Sequence, residues 1–350
     1  MLRVGINGFG RIGKAVFRVN NKKKSFEVAT INDINPDNEN IAYQLKYDST
    51  YGRLEDLVEA DEDSILVNGE HVKVYHERDI DNVPWENHGI DVVVDSSGVH
   101  SNVLRSRELA KKDIRTIVTH SPSKNDIDKT VIVGVNHETL TLKDYIISNS
   151  ICDSNAFAPV INVLNREFGV EHGSLLTLHP WLSYQNLVDG TSSSYGYPGQ
   201  TYSHYVLGRA STTSLIPKPT TCIDASCKVL DFLDGKFESF SYRVPTSIVS
   251  NANISVKLGR KISKEQLIEL FKEEQDKQQF KIFYNNFEPL VSIDFSGSEY
   301  SAILDHRWTI VNGQGDHAQI VLWYDNEWGY SSRVIDLVSY LGKFKQENKM

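Results

Sequence analysis

Cysteine is scarce in this sequence. Three in 350 residues, an odd number, do not make a disulfide framework, and the spacing of Cys152, Cys222 and Cys227 is not that of a zinc site, so no metal is expected. A single reactive thiol is left open. Long hydrophobic runs are missing too: no segment reaches membrane-spanning length, and no membrane partner is expected. Positive charge is in deficit, 37 Lys and Arg against 46 Asp and Glu for a net −9, which argues against a nucleic-acid-binding surface. There is no internal repeat and no low-complexity tract. The N-terminal "MLRVGINGFG" enters a strand-and-glycine pattern at once, leaving no room for a signal peptide, so the cytoplasm is the expected compartment.

What is present describes a globular protein. With 40% hydrophobic residues the chain can hold a large core, and 350 residues are too many for one, so two domains are expected, the second inserted into the first. The first 120 residues alternate β-rich runs ("LRVGIN", "FEVATIN", "DVVVDSS", "RTIVTH") with helix-like segments ("RIGKAVFRVNN", "VLRSRELAKK"), the pattern of βαβ units on a parallel sheet. Another β-rich run, "TVIVGVN", precedes the segment holding Cys152. Beyond about residue 160 the strands become longer and more polar ("ESFSYRVPTSIVS", "ANISVKLG", "HAQIVLWYD"). One clear helix, "SKEQLIELFKEEQ", has Ser263 and Gln266 at capping-box spacing. This half reads as α+β with an antiparallel sheet. The tail "SSRVIDLVSYLGKF" sets Val334, Leu337, Val338 and Leu341 on one helical face, as a final core-packing helix requires. The polar stretch 189–204, "DGTSSSYGYPGQTYSH", lacks periodicity; loops that long are functional or disordered.

Two local patterns carry chemistry. "VGINGFGRIGKAVF" places Gly8, Gly10 and Gly13 in a G-x-G-x-x-G turn between strand and helix, which suits a pyrophosphate at the helix N-terminus. Asp33 follows at the end of "VATIND", where a carboxylate bonds ribose hydroxyls and repels a 2′-phosphate, so NAD is favoured over NADP. The bland reading is a glycine turn without a ligand. Cys152 opens "CDSNAFAPVINVLNREF", a helix whose N-terminus would lower a thiol pKa, although a lone cysteine is commonly a small core residue. His179, closing the β-like run "SLLTLH", is a candidate base; His172 and His204 compete with it. Cys222 and Cys227 read as packing residues.

Taken together, "INGFGRIGK", "INDIN", "LKYDSTYGR", "DVVVDSSG", "VIVGVNH", "SNSICDSNAFAP", "RVPTSIV" and "WYDNEWGYSSRVIDL" resemble the glyceraldehyde-3-phosphate dehydrogenases, in that family's order and nearly end to end. The resemblance implies a Rossmann NAD-binding domain over 1–151, completed by a C-terminal helix at about 327–350. An α+β catalytic domain with a largely antiparallel sheet is implied over 152–326, usually in a homotetramer. It makes Cys152 the nucleophile and His179 the catalytic histidine. Gly8, Gly10, Arg11, Ile12, Gly13, Asp33 and Ser97 become cofactor-binding residues, with Asn326 on the nicotinamide carboxamide and Tyr330 nearby. The implied chemistry is thiolate attack on a small aldehyde, hydride transfer to NAD and release of the thioester to an acyl acceptor, phosphate in the phosphorylating members.

Departures from the family cluster at the substrate. Where relatives read "SNASCTTNCLAP", this chain has Ile151, Asp153 and Ala156, losing two hydroxyls that help hold phosphate and gaining a carboxylate that repels it. Leu182 stands in place of a threonine, and one expected arginine aligns with Val206 or Leu207. Thr220 and Arg243 are kept as substrate-binding residues; Arg209, Lys218 or His204 could supply charge from a new position. Three readings follow: oxidation of glyceraldehyde 3-phosphate or a related aldehyde, a non-phosphorylating variant with water as acceptor, and a silent NAD-binding regulator. A redox-sensing thiol protein is a further, weaker reading.

Overall fold

The structure, a computed structural model, describes residues 1–191 and 205–347. The chain divides into two compact units. The first comprises Met1–Val131, Glu138–Asn149 and Ser331–Met350, and the second Ile132–His137 and Ser150–Tyr330.

The first unit is built on a nine-stranded sheet. In spatial order its strands are Lys129–Thr130, Ile146–Ser148, Arg115–Val118, Val92–Asp95, Arg3–Asn7, Glu27–Asn32, Glu70–Tyr75, Ser64–Val67 and Val58–Ala60. The first seven run parallel, and the last two add an antiparallel edge that the alternation of runs did not announce. Strands buried on both faces need continuous apolar runs, and Val92, Val93 and Val94 are all buried. The helix Arg11–Lys23 buries Ala15, Val16 and Val19 at helical spacing and ends at Lys24 in left-handed conformation. Helix His100–Ala110 lies against strand Arg115–Val118. In the C-terminal helix Trp328–Glu347, Val334, Leu337, Val338 and Leu341 are buried as their spacing required, each contributing about 1.5–3 kcal/mol by leaving water.

The strand expected from the next run does not form. "TVIVGVN" is extended only at Lys129–Thr130; the Asn136 side chain then accepts the Ile132 N–H at 2.8 Å, and Gly134 turns at φ +87°, closing a turn instead.

The second unit carries an eight-stranded sheet in the order Ile216–Lys218, Phe237–Val244, Val170–Pro180, Ser250–Leu258, His317–Tyr324, Ala302–Asp305 and Phe283–Asn286, with Ile310–Val311 also on the His317 strand. Most pairs are antiparallel. Two are parallel: Val170–Pro180 with Phe237–Val244, and Phe283–Asn286 with Ala302–Asp305. The run "ESFSYRVPTSIVS" is not one strand, because Pro245 has no N–H to offer a ladder; Phe237–Val244 ends before it and Ser250–Leu258 begins after a turn. Helix Lys264–Lys277 has the expected Ser263–Gln266 capping box. Helix Cys152–Phe168 is buried nearly all round through Ala156, Phe157, Val160, Ile161 and Leu164, which marks it as the central helix of its unit.

Candidate active site

In the first unit the strand Arg3–Asn7 delivers the chain into the glycine turn. Gly8 takes φ +85°, and a Cβ there would lie 2.6 Å from the backbone of Ser97. A Cβ on Gly13 would lie 2.2 Å from the Gly8 carbonyl oxygen, so the helix approaches the strand only because residue 13 has none. Gly10 is the N-cap of that helix. It makes no side-chain cap bond, and a Cβ on it would meet nothing within 4 Å. The first-turn N–H groups of Arg11 and Ile12 have no intrahelical acceptor, and they stand at the positive end of the helix beside this open cradle. Asp33 is fixed at its edge, its carboxylate accepting the Phe9 N–H at 2.6 Å and the Asn35 N–H at 2.9 Å. A cradle that a side chain would fill, a helix N-terminus facing it and a nearby carboxylate fit a dinucleotide with free ribose hydroxyls. The Arg11 side chain is committed elsewhere: its guanidinium pairs with Asp48 and lies over the Tyr51 ring at 5.6 Å. Arg11 therefore offers the turn its backbone rather than its charge.

Beneath the turn runs a buried polar chain that sequence reasoning missed. Asn32 donates to Asn7 at 2.7 Å and Asn7 to Asp95 at 2.9 Å, while the Ser97 hydroxyl donates to Asp95 at 2.6 Å. Burial pushes the Asp95 carboxyl up, and the Ser97 and Asn7 hydrogen bonds oppose that rise. The available signal was a polar residue at the end of each of three apolar strands, "GIN", "TIN" and "VVVD".

In the second unit the local order "SICD" places Ser150 at φ +57°, Ile151 as an uncapped N-cap and Cys152 as the first helical residue. Left-handed backbone at a serine costs about 1–2 kcal/mol and is held here by the surrounding structure, including the Tyr330 hydroxyl, which donates to the Ser150 carbonyl at 3.1 Å. The Cys152 sulfur lies 3.7 Å from His179 Nε2. His179 is the penultimate residue of strand Val170–Pro180; its Nδ1 bonds the Pro180 carbonyl at 2.9 Å. A carbonyl only accepts, so Nδ1 carries the proton and Nε2 presents its lone pair to the sulfur. His172 is exposed, seven residues back on that strand and therefore roughly 23 Å from His179. His204 lies outside the described residues, as do 192–204 of the polar stretch at 189–204.

Asp153 is the second residue of the helix and is buried. Tyr324 donates to its carboxylate at 2.8 Å, the Cys152 thiol approaches the same oxygen at 3.4 Å, and Thr220 reaches the other at 3.5 Å. Burial pushes the Cys152 thiol well up, and the Asp153 charge adds to that; burial and the Arg243 charge push His179 down to about 3. At neutral pH the resting pair is therefore thiol and neutral imidazole.

The parallel register of the two strands sets Arg243 directly beside His179. Arg243 is buried, donates to the Tyr184 hydroxyl at 3.1 Å, and has an Nε with no partner among the described residues. Lys218 ends the next strand and faces the same charges; burial and Arg243 lower it to about 8. Arg209 is exposed and paired with Asp189 at 2.9 Å. Asn326 is buried, its carbonyl oxygen accepting from Ser250 at 3.3 Å. Cys222 is buried, as a packing residue should be, while Cys227 keeps partial exposure.

Comparison with known proteins gives the family of the chain. Residues 2–103 match the glyceraldehyde 3-phosphate dehydrogenase NAD-binding domain and residues 151–326 the C-terminal domain of the same family. Glyceraldehyde-3-phosphate dehydrogenase 1 of Bacillus cereus is 36% identical over 342 residues, covering 97% of this chain and 98% of its own length. The enzyme of the same name from Saccharomyces cerevisiae is 35% identical over 343 residues, covering 98% of this chain and all of its own. Glyceraldehyde-3-phosphate dehydrogenase B of Aspergillus oryzae is 37% identical over 339 residues, 97% of this chain and 98% of its own. With two domain matches in order and relatives aligned along almost the whole length, the chain belongs to the glyceraldehyde 3-phosphate dehydrogenase family.

Proposed function

We propose that the protein oxidises glyceraldehyde 3-phosphate with NAD through a Cys152 thioester and passes the acyl group to phosphate. The observation that carries this reading is the Cys152–His179 pair, 3.7 Å apart, with the imidazole tautomer fixed to accept the thiol proton. Because the resting pair is neutral, His179 Nε2 takes that proton as the sulfur bonds the aldehyde carbon, and returns it to the oxygen to give a hemithioacetal. His179 takes the hydroxyl proton back when the carbon loses its hydride and becomes the thioester. NAD, when bound, supplies the hydride acceptor. The cradle at Gly8–Gly13 with Asp33 and Ser97 would hold it, and the resemblance to the family gives Asn326, with Tyr330 nearby in the second unit, the role of partner to the carboxamide. A phosphate oxygen then attacks the thioester carbon, the C–S bond breaks, and the acyl phosphate leaves a thiolate ready for reprotonation.

The anions in this scheme need donors that survive the loss of the family's hydroxyls. Arg243, whose Nε has no partner among the described residues, Lys218 and Thr220 provide them, Lys218 taking over from the arginine that the resemblance would place near Val206. Its pKa of about 8 leaves it mostly protonated at neutral pH. Asp153 opposes phosphate within the same group, and the two cations offset it.

Among the described residues no helix is long and apolar enough to cross a membrane. We place the working protein in the cytoplasm as a homotetramer, the assembly usual in the family. Exposed Phe240, Trp308 and Ile310 on the second unit supply apolar surface for such contacts. Light scattering at four times the 39.6 kDa chain mass supports the assembly, and a monomer overturns it.

The deciding experiment follows NADH formation from glyceraldehyde 3-phosphate with and without inorganic phosphate, in wild type and Cys152→Ala. Phosphate-dependent turnover lost in the variant is the expected result. Turnover indifferent to phosphate would replace the acyl acceptor with water, and turnover that survives in the variant would remove the thioester altogether.

A further inference from the structure

The three groups that meet at the nucleophile have a second chemistry. Cys152 Sγ lies 3.7 Å from His179 Nε2 and 3.4 Å from the Asp153 carboxylate, and one ligand atom from each of the three residues falls within 4.8 Å of the others. Zinc bonds of about 2.3 Å to sulfur and 2.0–2.2 Å to nitrogen or oxygen put tetrahedral ligand atoms about 3.5 Å apart. The sulfur already stands at that separation from both partners.

The groups behind these three are also those a metal site requires. His179 donates its remote nitrogen to the Pro180 carbonyl, which leaves Nε2 free to bind without displacing a proton. The Asp153 carboxylate is held by the Tyr324 hydroxyl at 2.8 Å in a buried setting. A thiolate, an imidazole and a carboxylate form a three-ligand set with a position left for water, the arrangement of an open rather than a closed zinc site. Cysteine spacing could not reveal it, since only one ligand is a cysteine and the histidine comes from a strand 27 residues on.

We propose that Cys152, Asp153 and His179 bind a divalent zinc ion, and that the ion reversibly blocks the nucleophile. Binding forms one bond from each residue to the metal and releases the Cys152 proton to solvent; the cation draws charge from the bonded sulfur, occupies its approach and ties up the His179 nitrogen that would take the thiol proton, so attack on an aldehyde carbon is suppressed. Asp153 makes the difference in this chain, because it turns a cysteine–histidine pair into three ligands and supplies a second negative charge against the two of the cation. Arg243 and Lys218 stand in the same group and oppose a cation, so the metal is exchangeable and not a resident cofactor. The proposal rests on the three side chains alone and holds whichever aldehyde is the substrate.

The test titrates the full-length protein, reduced with a non-chelating phosphine, with cobalt(II) chloride and then displaces it with zinc chloride. Wild type is expected to bind one cobalt with a thiolate-to-metal charge-transfer band and intense tetrahedral d–d bands, both removed by zinc. Cys152→Ser should lose the charge-transfer band, and Asp153→Asn should weaken zinc more than about 10-fold in competition with a chromogenic chelator. Near- and far-UV circular dichroism with an unchanged denaturant midpoint checks that the second unit, which holds all three ligands, is folded in each variant. Cobalt bound without sulfur character, or equal zinc affinity in wild type and Asp153→Asn, overturns the proposal. A failed dehydrogenase assay with intact cobalt spectra would overturn only the proposed function.

Discussion

The cofactor turn and the substrate pocket of this chain are built on opposite principles. The turn occupies six consecutive residues, Gly8 to Gly13, and acts through backbone: its amides, its left-handed glycine and the absence of Cβ atoms that would collide at 2.2–2.6 Å. The pocket is gathered from segments near residues 152, 179, 218–220, 243 and 326, and acts through side chains. In the turn, a change of residue breaks the geometry itself. In the pocket, the resemblance puts Ile151, Asp153 and Leu182 where the family carries hydroxyls, and the helix from Cys152 and the His179–Arg243 register are formed here with those residues in place. Backbone-made sites therefore resist change, whereas side-chain-made sites can be re-equipped one group at a time.

Four measurements sharpen or break that contrast. The largest effect is expected from His179→Asn, which removes the only imidazole on the sulfur among the described residues: kcat should fall by about 10²–10⁴ with NAD affinity unchanged by equilibrium titration. Arg243→Gln removes a charged donor worth about 1.5–3 kcal/mol, so KM for the phosphorylated aldehyde should rise by about 10–100-fold, and an unphosphorylated aldehyde should be used almost as before. Gly8→Ala should cost about 1–2 kcal/mol from left-handed backbone alone, read as a lower denaturant midpoint. It should also weaken NAD binding yet leave the alkylation rate of Cys152 unaltered; a slowed alkylation would show that the two regions are not separable. The smallest effect belongs to Asp153→Thr. Removing an anion beside the sulfur lowers the thiol pKa, so the pH–rate curve for iodoacetamide should move to lower pH and the rate at neutral pH should rise, by tenfold for each unit moved. An unshifted curve would mean that burial alone sets the thiol.

Much of this was legible in the residues. The glycine spacing and Asp33 are local, and the cradle formed where they required it. The helix starting at Cys152, the capping box at Ser263 and the buried face of Val334, Leu337 and Val338 followed equally from short-range periodicity. Other features were not readable. "TVIVGVN" has strand composition, but Asn136 and Gly134 fold it into a turn. "ESFSYRVPTSIVS" looked continuous, and Pro245 divided it. Three histidines competed for the thiol, and only the strand's course removed His172 from the choice.

By itself the sequence determined what depends on neighbours along the chain: where a helix begins, which glycines cannot carry a Cβ, and which carboxylate closes the cofactor turn. The tertiary structure alone decided what depends on strand register and burial. It set Arg243 beside His179, turned Asp153 inward to Tyr324 and the sulfur, and made the resting pair neutral. The physical reason is range. Backbone sterics and capping act over a few residues, while electrostatic shifts and ligand sets depend on distances of a few ångströms between residues tens of positions apart.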